Sequence, residues 1–189
     1  SQAKVVGFEA DDIIAEAVDI SRNENKTALI VSNDKDLLQL VDKTTTVYKS
    51  DKFYSPGAVY NEYGCYPQHI PLWLSIVGDK SDNIVGVPQV GPKKVQVLFS
   101  LYKGELKRFV FGDIPNNYHN LLMKVRDHRS QLDINLKLIE LKSGRIAPSE
   151  NIIQKDINKD KVIKMISAHG MQSLMVPVLE WMDGNQNKS

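Results

Sequence analysis

The sequence predicts an α/β fold with a partial parallel sheet, followed by a mainly helical region. Three observations predict it. The run Thr27-Ala-Leu-Ile-Val-Ser32 is short, apolar and rich in strand formers, as a buried parallel strand is. Ala10, Ile13, Ile14, Ala17 and Val18 recur at i, i+3, i+4, i+7 and i+8, one apolar stripe of a helix. From Pro67 onward the apolar spacing is helical wherever it is regular.

Taken in order, the first helix carries Glu9, Asp11 and Asp12 at or in its first turn. The strand of residues 27–32 delivers Asn33-Asp34-Lys35-Asp36 at its C-terminal end, where open α/β sheets place their ligands. Leu37 to Val41 reads as a short helix, and the segments ending at Tyr48 and Tyr54 as a small hairpin turning at Ser50-Asp51. A helix from Pro67 or Pro71 to Val77 ends in a turn from Gly78 to Asp82. After the hairpin Gly86-Val87-Pro88-Gln89-Val90-Gly91, Pro92 suits the first position of a helix, where its missing N–H has no partner to lose. That helix carries Val95, Leu98, Phe99 and Tyr102, and Gly104 is the expected stop. Further helices are expected near residues 118–127, 130–142 and 159–169, with a frayed tail from Asp183 to Ser189. A boundary near residues 66 and 67 separates the α/β part from the helical one, although the two can form one compact unit.

The composition, 42% hydrophobic and 25% charged, is that of a soluble globular protein, and no apolar run approaches the roughly 20 residues of a membrane-spanning helix. The first residues lack the apolar core of a secretory signal. Cys65 is the only cysteine, so no internal disulfide forms and a reducing cytoplasm fits best. The chain begins without methionine and reaches an acidic cluster by residue 9, as a fragment or trimmed chain would. Its net charge of +1 is uninformative, but the distribution is not. Eight acids face three bases between Gly7 and Asp36, and eight bases face three acids between Pro92 and Arg129. An acidic region for cations beside a basic region for phosphates suits a nuclease, although two solvated faces would look the same.

Seven carboxylates form three clusters: Glu9, Asp11 and Asp12; Asp34 and Asp36; Asp79 and Asp82. Each cluster alone has an ordinary explanation. Acids in a first helical turn offset the helix dipole, Asn33 or Asp34 can cap the short helix, and Asp79 and Asp82 are common turn residues. Together they exceed what capping needs. Carboxylates gathered at three element ends repel one another unless hard cations neutralise them, and two divalent ions about 4 Å apart are the means of two-metal phosphodiester cleavage.

Read in order, Gly7-Phe8-Glu9-Ala10-Asp11-Asp12-Ile13-Ile14 resembles one signature of the structure-specific 5′ nucleases. That family includes the 5′-nuclease domain of bacterial DNA polymerase I, phage 5′-exonucleases and flap endonucleases. Residues 32–40 are similar to a second signature, and residues 78–88 with Val90-Gly91-Pro92-Lys93-Lys94 to a third with its helix–three-turn–helix motif. The aromatic hairpin and Tyr60-Asn61-Glu62-Tyr63-Gly64 also match bacterial and phage members. The likeness is strong from Gly7 to Leu101 and fades toward Met182.

The resemblance implies a PIN-like nuclease core and 5′-3′ exonuclease or flap endonuclease activity on DNA, in replication or repair. Glu9, Asp11, Asp34 and Asp36 would ligate catalytic metal with Asp12 as a direct or water-bridged partner, and Asp79 and Asp82 would complete a second metal region. The cofactors implied are two Mg2+ or Mn2+ ions, with K+ at the hairpin. Gly86, Val87, Pro88, Gln89, Val90, Gly91, Lys93 and Lys94 would bind the backbone of duplex or branched DNA, with the N–H groups of Gly91, Lys93 and Lys94 aimed at phosphate. Family members also carry, before the first of these signatures, a central strand with a metal-ligating Asp and a basic helical arch. Their absence from these residues leaves a sheet edge unpaired. A separate N-terminal half is therefore an expected partner for cleavage, and a non-catalytic duplex-binding module is the alternative. His69, His119, His128 and His169 lack metal-ligand spacing, Cys65 has no nearby His, and Trp73 and Trp181 are expected to pack in helices.

Overall fold

The structure, a computed structural model, describes residues 7–143, 158–168, 170 and 172–186, with side chains as far as residue 183. Helix α1 (Ala10–Asn23) buries Ala15, Glu16 and Val18, while Ala10 is exposed and Ile13, Ile14 and Ala17 are half-buried. The buried face is thus rotated from the expected stripe. Val18 belongs to the buried core and Ile14 packs against it, and both, with Ala17, also line a groove.

Strand β1 (Ala28–Val31) pairs in parallel with β2 (Thr45–Lys49), and β2 pairs antiparallel with β3 (Lys52–Tyr54), in the order β1-β2-β3. Ser50 and Asp51 both take positive φ, 48° and 59°, which matches the turn to the twist of the hairpin. The expectation of a buried β1 needs correction, since only Ile30 is buried and Val31 is 51% exposed. Ala28 and Ser32 turn their N–H groups to β2, at 2.8 and 3.1 Å from Thr44 O and Tyr48 O. Leu29 and Val31 therefore present theirs to the opposite edge, where no strand is paired among the described residues. Thr27 to Val31 line the apolar groove, of about 680 Å³, in unbroken succession. Successive side chains alternate between faces, so a groove touching all five runs along the strand's edge. Its far wall is helix α8 (Lys159–Ala168) and helix α9 (Met175–Gln186).

Helix α2 (Pro56–Tyr63) was not expected, although its signals are in the sequence. Ser55 Oγ accepts the Ala58 N–H at 3.3 Å, Pro56 opens the helix, and Gly64 ends it at φ 72°. A 3-10 turn (Pro67–His69) leads into α3 (Ile70–Val77), whose residues 70–76 are all buried. This central helix packs against α4 (Pro92–Tyr102), against α7 (Arg129–Ile139) and against the 3-10 turn Asp36–Leu40 that follows β1. Pro92 opens α4 as expected, and Val95, Leu98, Phe99 and Tyr102 are its buried face. The helix stops one residue earlier than Gly104 suggests. Lys103 takes positive φ (46°), and Gly104 lies in a 3-10 turn before α5 (Leu106–Phe111), another unexpected helix. Helix α6 (Asn120–Arg126), α7 and α8 fall where helices are expected, with His169 outside the described residues. The expected fraying at Asp183 is corrected, because α9 continues through it and its carboxylate accepts the Lys159 ammonium at 2.8 Å.

One apolar cluster runs from Ala15 through Leu37, Ile70 and Leu98 to Ile139, joining the sheet to the helices. Cys65 is buried within it, its thiol pushed up to about 12 by burial, and Trp73 stacks edge-on against Tyr63 at 5.0 Å. No helix among the described residues is long and apolar enough to cross a membrane.

Candidate functional site

A helix N-terminus and two turns bring the carboxylates toward one another. Glu9 is the N-cap of α1 and forms a reciprocal capping box with Asp12, whose Oδ2 accepts the Glu9 N–H at 3.3 Å. Asp12 thus serves the helix end, while Asp11 on the next position faces Asp34. At the end of β1, Ser32 Oγ accepts the Asp34 N–H (3.1 Å) and Asp34 Oδ1 accepts the Asp36 N–H (2.9 Å). These side-chain turns direct the backbone into the 3-10 turn that begins with Asp36. Beyond α3, Asp79 and Ile84 form an antiparallel bridge that closes the loop carrying Asp82. Asp79 is 6% exposed; its Oδ1 accepts the Ser81 N–H at 3.0 Å and also the Ser81 hydroxyl, and its Oδ2 accepts the Lys35 ammonium at 2.7 Å.

The electrostatics record how crowded these groups are. Burial, and then the charges of Asp34, Asp82, Asp11 and Asp79, push Asp36 up to about 7. Burial, then the charge of Asp34 and a hydrogen bond to it, push Asp11 up to about 6, with smaller contributions from Glu9 and Asp12. Burial would also raise Asp79, but the hydrogen bonds from Lys35 and Ser81 outweigh it and hold the carboxyl below its ordinary value. Asp11, Asp34, Asp36, Asp79 and Asp82 therefore share one electrostatic field, with Glu9 and Asp12 at its rim. Among the described residues no three of them converge closely enough to grip an ion. The donor set fits a hard divalent cation, being all carboxylate oxygen and holding two carboxyls at raised pKa that a cation would relieve.

The hairpin of residues 86–91 is pinned from below. Val87 and Val90 are buried, and the Val87 N–H donates to Ile76 O at 2.7 Å. A Cβ on Gly86 would lie 2.3 Å from Val77 O, so this glycine is required by the packing of the hairpin on α3. A Cβ on Gly91 would meet nothing within 4 Å. The N–H groups of Gly91 and Lys93 have no partner among the described residues, but that of Lys94 donates to Gly91 O at 3.0 Å, which corrects the expectation of three free donors. Lys94 Nζ folds back on Gln89 O at 2.9 Å.

Four further residues escaped the sequence reading. Lys35 was visible as a base between two acids. Lys124 on α6 donates to Gln89 Oε1 at 2.9 Å, and 35 residues of separation left no local sign of it. Gln39 Nε2 donates to Asp36 O (2.8 Å) and Ile139 O (2.9 Å), and Asn135 Nδ2 to Ser75 O (3.0 Å) and Val85 O (2.8 Å). These two amides tie α7 to the Asp36–Leu40 turn and to the residue before the hairpin.

Residues 1–64 match the family described as 5′-3′ exonuclease, N-terminal resolvase-like domain. The chain is 37% identical over 119 residues to a 5′-3′ exonuclease of Buchnera aphidicola subsp. Schizaphis graminum, covering 62% of this chain and 38% of that protein. It is 30% identical over 184 residues to a 5′-3′ exonuclease of Mycoplasma pneumoniae (89% and 60%) and 30% identical over 178 residues to DNA polymerase I of Bacillus caldotenax (89% and 20%). Among solved structures it is similar to T5 5′-exonuclease with bound zinc, at TM-score 0.62 and 21% identity, over 72% of this chain and 51% of that one. A T5 flap endonuclease complex with DNA and metal ions gives TM-score 0.59 at 20% identity, over 71% and 50%. The fold is PIN-like, as in T5 5′-exonuclease. The chain is thus similar to 5′-3′ exonucleases, over residues 1–64 to the family model and over most of its length to the bacterial relatives, and it spans 60% or less of the length of each relative named here.

Proposed function

We propose that this chain takes part in metal-dependent hydrolysis of phosphodiesters near the 5′ end of a flapped or nicked DNA duplex. One observation carries the reading: Asp36 lies within the field of Asp11, Asp34, Asp79 and Asp82, gathered from three separate parts of the chain. Asp11, Asp34, Asp36, Asp79 and Asp82 would hold Mg2+ or Mn2+, two ions in the full arrangement, with Glu9 and Asp12 at the margin. When bound there, divalent metal supplies a water that is nucleophilic at neutral pH and a counter-charge for the leaving oxygen. The chain's own residues do the rest. The hairpin offers the Gly91 and Lys93 N–H groups at the start of α4 to a backbone phosphate, and Lys93 and Lys94 add charge. A K+ ion on the carbonyls of the hairpin would strengthen that grip.

Cleavage, in this reading, needs an N-terminal nuclease half that completes the sheet beside β1, on the same or a separate chain. Its support is the unpaired edge of Leu29 and Val31 and the apolar groove beside it. The second reading, a duplex-binding module without catalysis, is favoured by the capping role of Asp12. Incubating a 5′-labelled flap duplex in Mg2+ with the chain alone, and with a recombinant N-terminal half added, separates the two. Cleavage that appears with the added half and disappears in Asp36→Asn is the expected result. Tight duplex binding without cleavage in either mixture would favour the binding module.

A further inference from the structure

We propose that Lys35 is a resident counter-ion of the carboxylate cluster, holding the Asp79 carboxylate in the metal-free protein and releasing it to an arriving divalent cation. The inference rests on the metal-site reading above. The Asp79 side chain is 6% exposed, and a carboxylate so buried requires a compensating charge. Among the described residues Lys35 is the one cation in contact with it, Nζ to Oδ2 at 2.7 Å. The other carboxylate oxygen is committed to the N–H and hydroxyl of Ser81, two residues away in the same turn. Both oxygens of Asp79 therefore have partners, and the two are unequal. Ser81 is fixed by the turn that the Asp79–Ile84 bridge closes. Lys35 is half-exposed, and its ammonium sits on a flexible four-carbon stem. A cation reaching Asp79 would displace the lysine and leave the serine.

The position of Lys35 in sequence makes the exchange local. It stands between Asp34 and Asp36, whose charges, with those of Asp79 and Asp82, crowd the same field. An ammonium there relieves in part the repulsion that a metal would relieve more fully. It also accounts for carboxylates that are close without converging: one of them is turned toward the lysine. Two consequences follow. Lys35 stabilises the protein without metal, and it competes with metal for Asp79.

Binding of Mn2+ followed by the resonance of the free ion, combined with thermal unfolding in EDTA and in Mn2+, tests both. Lys35→Met keeps most of the stem and removes the charge, Lys35→Gln provides a second neutral variant should the first fail to fold, and Lys35→Arg keeps the charge. The neutral variants are expected to bind Mn2+ about 2- to 5-fold more tightly than wild type, the scale of one half-exposed ion pair. They should also melt lower in EDTA and gain more from Mn2+, while Lys35→Arg stays near wild type. Unchanged or weaker Mn2+ binding in the neutral variants, with Asp79→Asn clearly impaired, would overturn the counter-ion and leave the metal site standing. Asp36→Asn and Asp79→Asn binding Mn2+ as wild type does, or no variant binding it at millimolar concentration, would overturn both.

Discussion

At Asp36, burial and four neighbouring carboxylates all oppose ionisation, and its pKa stands at about 7 instead of 3.8. A carboxyl with a folded pKa above its unfolded one stabilises the fold while protonated. That contribution is complete below about pH 4 and is lost as pH rises toward 7. In EDTA the Tm of Asp36→Asn relative to wild type should therefore climb between pH 4 and 7 by about 2 °C or more, and level off above. Mn2+ should shrink the difference at pH 7 by stabilising the wild-type carboxylate. A difference flat with pH, read by scanning calorimetry, would mean that Asp36 is not under this pressure. Asp79 has the opposite sign. Lys35 and Ser81 outweigh its burial, so its contribution is present near neutrality and is lost as pH falls.

Among the elements, the hairpin of residues 86–91 separates structural from binding roles at its two glycines. Gly86→Ala places a methyl group against the Val77 carbonyl, backbone against backbone, and should cost about 2 kcal/mol or more in urea unfolding. Gly91→Ala meets open space at an ordinary φ and should cost less than about 0.5 kcal/mol, yet it narrows the approach to the α4 N-terminus and should weaken duplex binding. Equal effects of both on stability would argue against this division. Sequence alone showed that the hairpin matters but not which glycine does what, because the close partner of Gly86 belongs to α3. The same limit appears elsewhere. Helix α4 was legible from Pro92 and its apolar spacing, and β1 from its composition. The exposure of β1 was not, since it depends on what pairs with its other edge. Helix α2 escaped although Ser55, Pro56 and Gly64 mark both of its ends, because its eight residues carry only a weak apolar stripe. The carboxylates were legible as clusters at element ends. The division of work among them, with Asp12 on the helix cap and Asp79 on Lys35, depends on contacts across 44 residues or on cap geometry that spacing does not specify.

Across the whole molecule, acid gathers at the ends of α1, β1 and α3, and base at the hairpin and the helices after it. Lys93→Ala combined with Lys94→Ala should weaken binding to any duplex sequence alike and reduce the salt slope of log affinity by about 1 to 2, measured by anisotropy at several ionic strengths. An unchanged slope would remove these lysines from the phosphate contacts. The edge of β1 that no strand pairs among the described residues makes a separate prediction. Val31→Lys alters an exposed position and should leave the melting temperature of the chain within about 2 °C, yet abolish any cleavage restored by an N-terminal half. Full restoration by the variant would place the complement elsewhere. Gln39 extends the reach of the cluster beyond its own contacts. Its Nε2 binds the carbonyl of Asp36, and its Oε1 accepts the Leu141 N–H at 3.0 Å. The amide resonance of Leu141, far along the chain from any carboxylate of the cluster, should therefore shift as Mg2+ is titrated, a distant bell wired to the cluster through one side chain.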